Sequence, residues 1–205
     1  KSLLTRALKS ARQRKHQCFL ELFAGFGGIS KHLRYRGYAV VSIDIEHSVF
    51  QDLTIQAVQR LLRGWITSGI VIGVWLGTPC TTWSIAHTTP IVRSRKYILG
   101  IPGLSPRHAN NVLLGNLTMQ FTASIIDTCV RMTVPVCLEN PHSSKLFIAP
   151  PIQKLCKRMS CQTFVSDFCQ YSKRWRKATR VLSWHTGSEA PSKRCCGNKG
   201  VCSRT

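Results

Sequence analysis

The sequence predicts an α/β domain with a largely parallel sheet and helices on both faces, and three observations predict it. Six short apolar runs are each bounded by turn residues. Between some of them, apolar residues recur every three or four positions, as on one face of a helix. Polar motifs stand at the carboxyl ends of three of the runs. Parallel strands need crossover connections, and helical crossovers cover both faces of the sheet.

The elements follow in order. The 205-residue chain opens on a basic stretch, 1–17, with little apolar periodicity beyond Leu3, Leu4 and Leu8. It reads as a basic arm. Strands are expected at 18–23, 39–44, 70–77, 135–139, 163–168 and 180–185. A first helix begins near Ile29. A second, over 53–65, places Ala57, Val58, Leu61, Leu62, Trp65 and Ile66 at helical spacing, and a third, over 110–132, repeats Leu113 or Leu114, Leu117, Phe121, Ile125 and Cys129. These positions are expected to face the core. The segment 81–108, rich in Thr, Pro, Gly, Arg and His, is too long for an ordinary connection, and long loops in compact domains tend to be functional. The expected organisation is the arm at 1–17, one domain at 18–186, and a basic, Cys-containing tail at 187–205.

Composition narrows the function classes. A hydrophobic content of 43% argues against a disordered chain. No apolar run reaches the roughly 18 residues needed to span a bilayer, so no membrane partner is expected. With 29 Lys and Arg against 8 Asp and Glu, the formal charge is +21, a field that attracts polyanions. DNA or RNA is the expected partner; the bland alternatives are solubility or an acidic protein. The chain has ten cysteines, mostly scattered through apolar segments, and no signal-peptide pattern. That implies a reducing, intracellular compartment, the nucleus if the cell is eukaryotic. A chain that opens on Lys1 rather than Met and stops at Thr205 is either the natural chain or a fragment of something larger.

Three motifs hold the chemistry. Phe23-Ala24-Gly25-Phe26-Gly27-Gly28 follows an apolar strand and precedes a helix. Glycines there permit a sharp turn and close ligand approach, and the helix start offers free N–H groups. Asp44, 19 residues after Gly25, stands near the spacing at which an acid meets ribose hydroxyls. Glu46 is a second ribose candidate, and Asp52 either accepts a hydrogen bond from an adenine amine or caps a helix. In Leu76-Gly77-Thr78-Pro79-Cys80 a strand delivers Cys80 to the carboxyl edge of the sheet, where open α/β sheets bind ligands. Cys80 is either a nucleophile beside a basic loop or an inert, half-buried thiol. In Cys137-Leu138-Glu139-Asn140-Pro141 another strand ends in polar groups, so Glu139 either enters the crevice or caps the next helix.

In this order the three motifs resemble the DNA cytosine-5 methyltransferase family, with its F-x-G-x-G, its Pro-Cys after the fourth strand and its Glu-Asn-Val or Glu-Asn-Pro after the fifth. The stretch from Asp167 to Leu182, with Arg176, Lys177 and Arg180, looks like the family's later basic motif. The resemblance implies a Rossmann-like class I methyltransferase fold and S-adenosylmethionine as cofactor. It places the cofactor against Glu21, Phe23, Ala24, Gly25, Gly27, Gly28, Asp44, Ile45, Asp52, Leu53, Gly77 and Pro79. Cys80 would attack carbon 6 of a flipped cytosine, Glu139 would hold the ring, and Arg176 and Arg180 would position base or phosphate. The loop 81–108 matches the family's mobile catalytic loop, with Arg93, Arg95, Lys96 and Arg107 as backbone clamps.

This chain has Thr81 where the family has Gln after Pro-Cys, and its basic motif is respaced. The family's target-recognition region and last cofactor motif have no counterpart here. The expected function is cytosine-5 methyl transfer in DNA or RNA; the alternative is a degenerate methyltransferase fold kept as a nucleic-acid-binding module. In the tail, Cys195, Cys196 and Cys202 are either three of four zinc ligands or part of a flexible segment.

Overall fold

Six strands form in the expected places. They are β1 (Cys18–Leu22), β2 (Val40–Ile43), β3 (Val71–Leu76), β4 (Val136–Pro141), β5 (Gln162–Asp167) and β6 (Ala178–Trp184). The computed structural model describes residues 17–84, 90–171, 177–187, 192–197 and 202. The basic arm, apart from Gln17, lies outside the described residues, as does Arg176.

The strands join in one sheet of order β2-β1-β3-β4-β6-β5. The pairs β1–β2, β1–β3 and β3–β4 are parallel, whereas β6 runs antiparallel to both β4 and β5. This is the α/β, Rossmann-like arrangement expected, mixed but mostly parallel. Helix α1 (Gly28–Tyr35) links β1 to β2, α2 (Gln56–Thr67) links β2 to β3, and α3 (Pro106–Arg131) links β3 to β4. Right-handed crossovers put α1 on one face and α2 and α3 on the other, because the chain reverses direction across the sheet after β2. A fourth helix, α4 (Pro150–Arg158), joins the second layer, where α3 packs against both α2 and α4. Sequence periodicity missed α4; the signal was Pro150-Pro151, since proline suits the first helical turn, where its missing N–H has no partner to lose.

The core lies between the sheet and this second layer. In register along four strands, Leu20, Leu22, Val74, Leu76, Val136, Leu138, Leu182 and Trp184 are buried. They meet Leu62, Trp65 and Ile66 from α2, Phe121, Ile125 and Cys129 from α3, and Ile152 and Leu155 from α4. Burying such side chains contributes about 1.5–3 kcal/mol each before conformational entropy is set against it.

Two expectations about the core are corrected. Leu113, Leu114 and Leu117 are exposed, Leu113 by 54%. Helix α3 has 26 residues, about 39 Å at 1.5 Å per residue. Strands of six residues reach only about 20 Å. The amino-terminal half of α3 therefore overhangs the sheet edge. On α2, Ala57 and Leu61 are also exposed, leaving a narrower buried stripe.

Described residues of the tail lie along β5. Asp167 donates its backbone N–H to Lys193 O (2.8 Å), and Lys193 and Val165 donate theirs to Ser166 Oγ and Ser192 Oγ, both at 3.3 Å.

Candidate active site

Strand order reverses between β1 and β3, and the carboxyl ends of parallel strands open a crevice at such a point. The loop after β1 turns through three residues with positive φ, Phe23, Gly25 and Gly27. Two carboxylates hold that loop in place. Glu21, buried at the end of β1, accepts the N–H groups of Ile29 (3.3 Å) and Ser30 (2.7 Å) at the start of α1. Asp44, just past β2, accepts from Gly25 N (2.8 Å) through Oδ2 and from Glu46 N (2.9 Å) through Oδ1. Anions satisfy the free donors of a helix start or a tight loop, so both acids fix backbone.

Gly77 closes this arrangement from β3. Its N–H donates to Leu22 O at 3.0 Å, and a Cβ on it would stand 2.8 Å from Phe23 O. No other residue fits without parting β3 from the loop.

Between these elements and the overhang of α3 lies a cavity of about 410 Å³, within the size range of small-molecule sites. Of the cofactor residues expected from sequence, Phe23, Gly25, Asp44, Ile45, Asp52, Leu53, Gly77 and Pro79 line it. Glu21, Ala24, Gly27 and Gly28 do not; Glu21 lies beneath the loop as its anchor. Asp52 Oδ1 accepts from Thr54 N (2.8 Å) and Thr54 Oγ1 (2.7 Å), so it caps a turn at the cavity wall, while the N-cap of α2 is Ile55. Sequence reading missed the far wall, made by Thr81, Thr82, Asn111, Leu114, Gly115 and Thr118. A signal existed: Asn111, Gly115, Thr118 and Thr122 recur at helical spacing as a small, polar stripe amid leucines.

The two later motifs are tied to each other beside this cavity. Asn140, buried at the end of β4, donates from Nδ2 to Thr78 O at 2.6 Å, joining the strand end that bears Cys80 to the one that bears Glu139. Thr78 Oγ1 meets Thr122 Oγ1 at 2.7 Å, which joins both to α3. Cys80 is half-buried in a turn whose carbonyl accepts from Trp83 N (2.9 Å) and Ser84 N (2.8 Å). Lys145 N donates to Trp83 O at 2.9 Å, fastening the start of the long loop to the segment after β4.

Glu139 Oε1 is buried and has no hydrogen-bond partner among the described residues. Burial pushes the Glu139 carboxyl above its ordinary range, against the downward pull of the Lys177 charge. Arg180 stands directly across from Asn140 on β6. Its guanidinium lies 5.0 Å from the Phe147 ring, and its Nε donates to His142 Nδ1 at 3.3 Å. Desolvation, aided by the Arg180 and Arg194 charges, lowers the His142 pKa and favours the neutral, accepting imidazole.

One basic residue is not where the sequence put it. Arg93, expected to clamp a backbone phosphate, is only 1% exposed. Its five N–H donors go to Thr82 Oγ1 (twice), Ile98 O, Val112 O and Asn116 Oδ1, at 2.8 to 3.2 Å. The guanidinium stacks on Trp83 at 3.5 Å, and burial lowers its pKa to about 10. It folds the loop onto α3 and touches no solvent-side ligand. Arg95, Lys96 and Arg107 are exposed.

Zinc expectations also need correction. Cys196 is exposed, while Cys195 and Cys202 gather with Cys169, which follows β5. Cys196 is not among the sulfurs that gather there. Among the described residues, no helix is long and apolar enough to cross a membrane.

No protein-family model and no curated protein matches the chain. Among solved structures it is similar to the methyltransferase EhMeth of Entamoeba histolytica, at 10% identity and a TM-score of 0.48. The match covers 87% of this chain and 56% of that one, so this chain spans little more than half the length of that structure.

Proposed function

We propose that the chain is an S-adenosylmethionine-dependent methyltransferase acting on carbon 5 of cytosine in DNA or RNA. The observation that supports this most is the Asn140–Thr78 bond, which ties together the neighbouring strand ends that bear Cys80 and Glu139; the cavity lining includes Pro79 and Thr81 on either side of Cys80, though neither Cys80 nor Glu139 itself. A fold kept only for binding has no need of that pairing. The residues fit the cofactor: the cavity is of small-molecule size, and its lining includes the carboxylates of Asp44, Glu46 and Asp52 as well as Pro79, the residue before Cys80. Asp44, Glu46 and Asp52 would hold its sugar and base, and when bound it supplies a methyl group on a sulfonium.

Each of the chain's own groups then has a task. Cys80, as thiolate, adds to carbon 6 of an extruded cytosine and makes carbon 5 electron-rich. Glu139, biased toward its protonated form, donates to the ring nitrogen and accepts from the 4-amino group, stabilising the charge that builds up on the ring. Arg180, oriented by His142 and Phe147, supplies positive charge at the same strand ends. Arg95, Lys96 and Arg107 contact the phosphate backbone.

A second reading, a degenerate fold retained as a nucleic-acid-binding module, is favoured by one observation. Both oxygens of Asp44 are already engaged by backbone amides, which leaves less acceptor capacity for a ribose. Covalent trapping separates the two. With S-adenosylmethionine and oligonucleotides containing 5-fluorocytosine, a denaturation-resistant adduct is expected, and it disappears in Cys80→Ser. Absence of adduct on both DNA and RNA, with nucleic acid still bound, would favour the module.

A further inference from the structure

Away from the cavity, three buried thiols gather in a cluster of their own. Cys169, Cys195 and Cys202 are buried and form a cluster separate from the main core, and among the described residues no aliphatic or aromatic side chain belongs to it. Their sulfurs all lie within 4.8 Å of one another, with Cys195 and Cys202 at 3.9 Å. A tetrahedral zinc with Zn–S near 2.3 Å sets its sulfurs about 3.8 Å apart, whereas a disulfide needs about 2.05 Å.

The polar groups around the sulfurs suit thiolates. Gly197 N donates to Cys195 Sγ at 3.4 Å, and Gln170 Nε2 lies 3.8 Å from Cys169 Sγ. N–H donors aimed at sulfur stabilise the anionic, metal-binding form and orient it. The backbone bearing the cluster is also fixed. Asp167, fully buried, accepts from Cys195 N (2.7 Å) and Arg194 Nε (3.1 Å), which holds the tail beside the turn containing Cys169.

We propose that Cys169, Cys195 and Cys202 bind one structural zinc ion, which fastens Cys195 and Cys202 to the turn after β5. The three thiolates supply three corners of the tetrahedron. Zinc is favoured over iron–sulfur chemistry, which calls for four cysteines, and a metal bound by ligands far apart in sequence adds its binding energy to folding.

The test is metal analysis of the full chain, purified under reducing conditions and reconstituted with equimolar zinc. One zinc per chain is expected, falling below a tenth of that in Cys169→Ser, Cys195→Ser and Cys202→Ser while Cys196→Ser retains it. Because a serine variant could fail to fold, the unaltered protein is also loaded with cobalt(II), where thiolate-to-cobalt charge transfer and strong tetrahedral d–d bands are expected. Chelation should lower Tm, and zinc should restore it. No metal after reconstitution, an octahedral cobalt spectrum, copper or iron in place of zinc, or equal loss in Cys196→Ser would overturn the proposal.

Discussion

At the residue scale, Glu139 has a signed dependence on pH. Its carboxyl titrates above the ordinary value near 4.5 because burial disfavours the charge. The folded state therefore binds a proton more readily than the unfolded state. The stability this allows is fully present below about pH 4.5 and is lost as pH rises through the folded value. Glu139→Gln removes the titration. Its Tm is expected to exceed that of the parent at pH 7 and above and to converge with it near pH 4, as thermal melts across that range would show. On the proposed chemistry the same variant loses most methyl transfer, so stability and activity move in opposite directions. Equal Tm differences at pH 4 and pH 8 would mean that the carboxyl is not destabilised by burial.

At the element scale, a pair of helix glycines contrasts a packed face with an open one. A Cβ on Gly115 would come within 2.6 Å of Thr82 Oγ1, 2.9 Å of Arg93 Nη2 and 3.3 Å of Trp83 Nε1. Gly64, in α2, has nothing within 4 Å. Alanine favours a helix over glycine by about 1 kcal/mol, and overpacking costs about 1–3 kcal/mol. Gly64→Ala is thus expected to stabilise by about 0.5–1 kcal/mol, and Gly115→Ala to destabilise by up to about 2 kcal/mol, read from urea midpoints.

This helix also marks how far the sequence could be read. Alternation of apolar runs and turn residues located all six strands, and the motifs at their ends located the crevice, because strand ends and glycine turns are local properties. Periodicity shows which residues share a helix face but not how far the helix outruns its neighbours. Leu113 and Leu117 were therefore misplaced, and the polar stripe at Asn111, Gly115 and Thr118 went unread. Arg93 was misjudged for a related reason: its acceptors on Thr82, Ile98, Val112 and Asn116 meet only when the long loop folds back on α3. Cys169 lies 26 residues before Cys195, and only the course of β6 and the tail brings them together.

Over the whole molecule, the charge of +21 sets an expectation for binding. Affinity for duplex DNA should fall linearly in a plot of log K against log salt, with a slope of about −0.9 per phosphate neutralised. Replacing Arg95, Lys96 and Arg107 together by Gln should make that slope shallower by about 2 to 3 if all three touch phosphates. An unchanged slope would move the nucleic-acid interface elsewhere on the surface. Arg93 is excluded from the set because removing it would disturb the loop and α3 rather than a phosphate contact.

The position of β6 has a consequence for how the molecule is assembled. Among the described residues it is the last strand in sequence, yet it lies between β4 and β5 and makes the ladder that attaches β5 to the sheet. During synthesis the first five strands emerge before it, with one side of β4 and both sides of β5 unpaired, the kind of open edge that invites association with other chains. The insertion of β6 closes that edge and also brings Arg180 opposite Asn140. Arg180 reaches its place opposite Asn140 in the same step that covers the open edge, so ordering of this part of the crevice and protection from aggregation are one event that waits for β6.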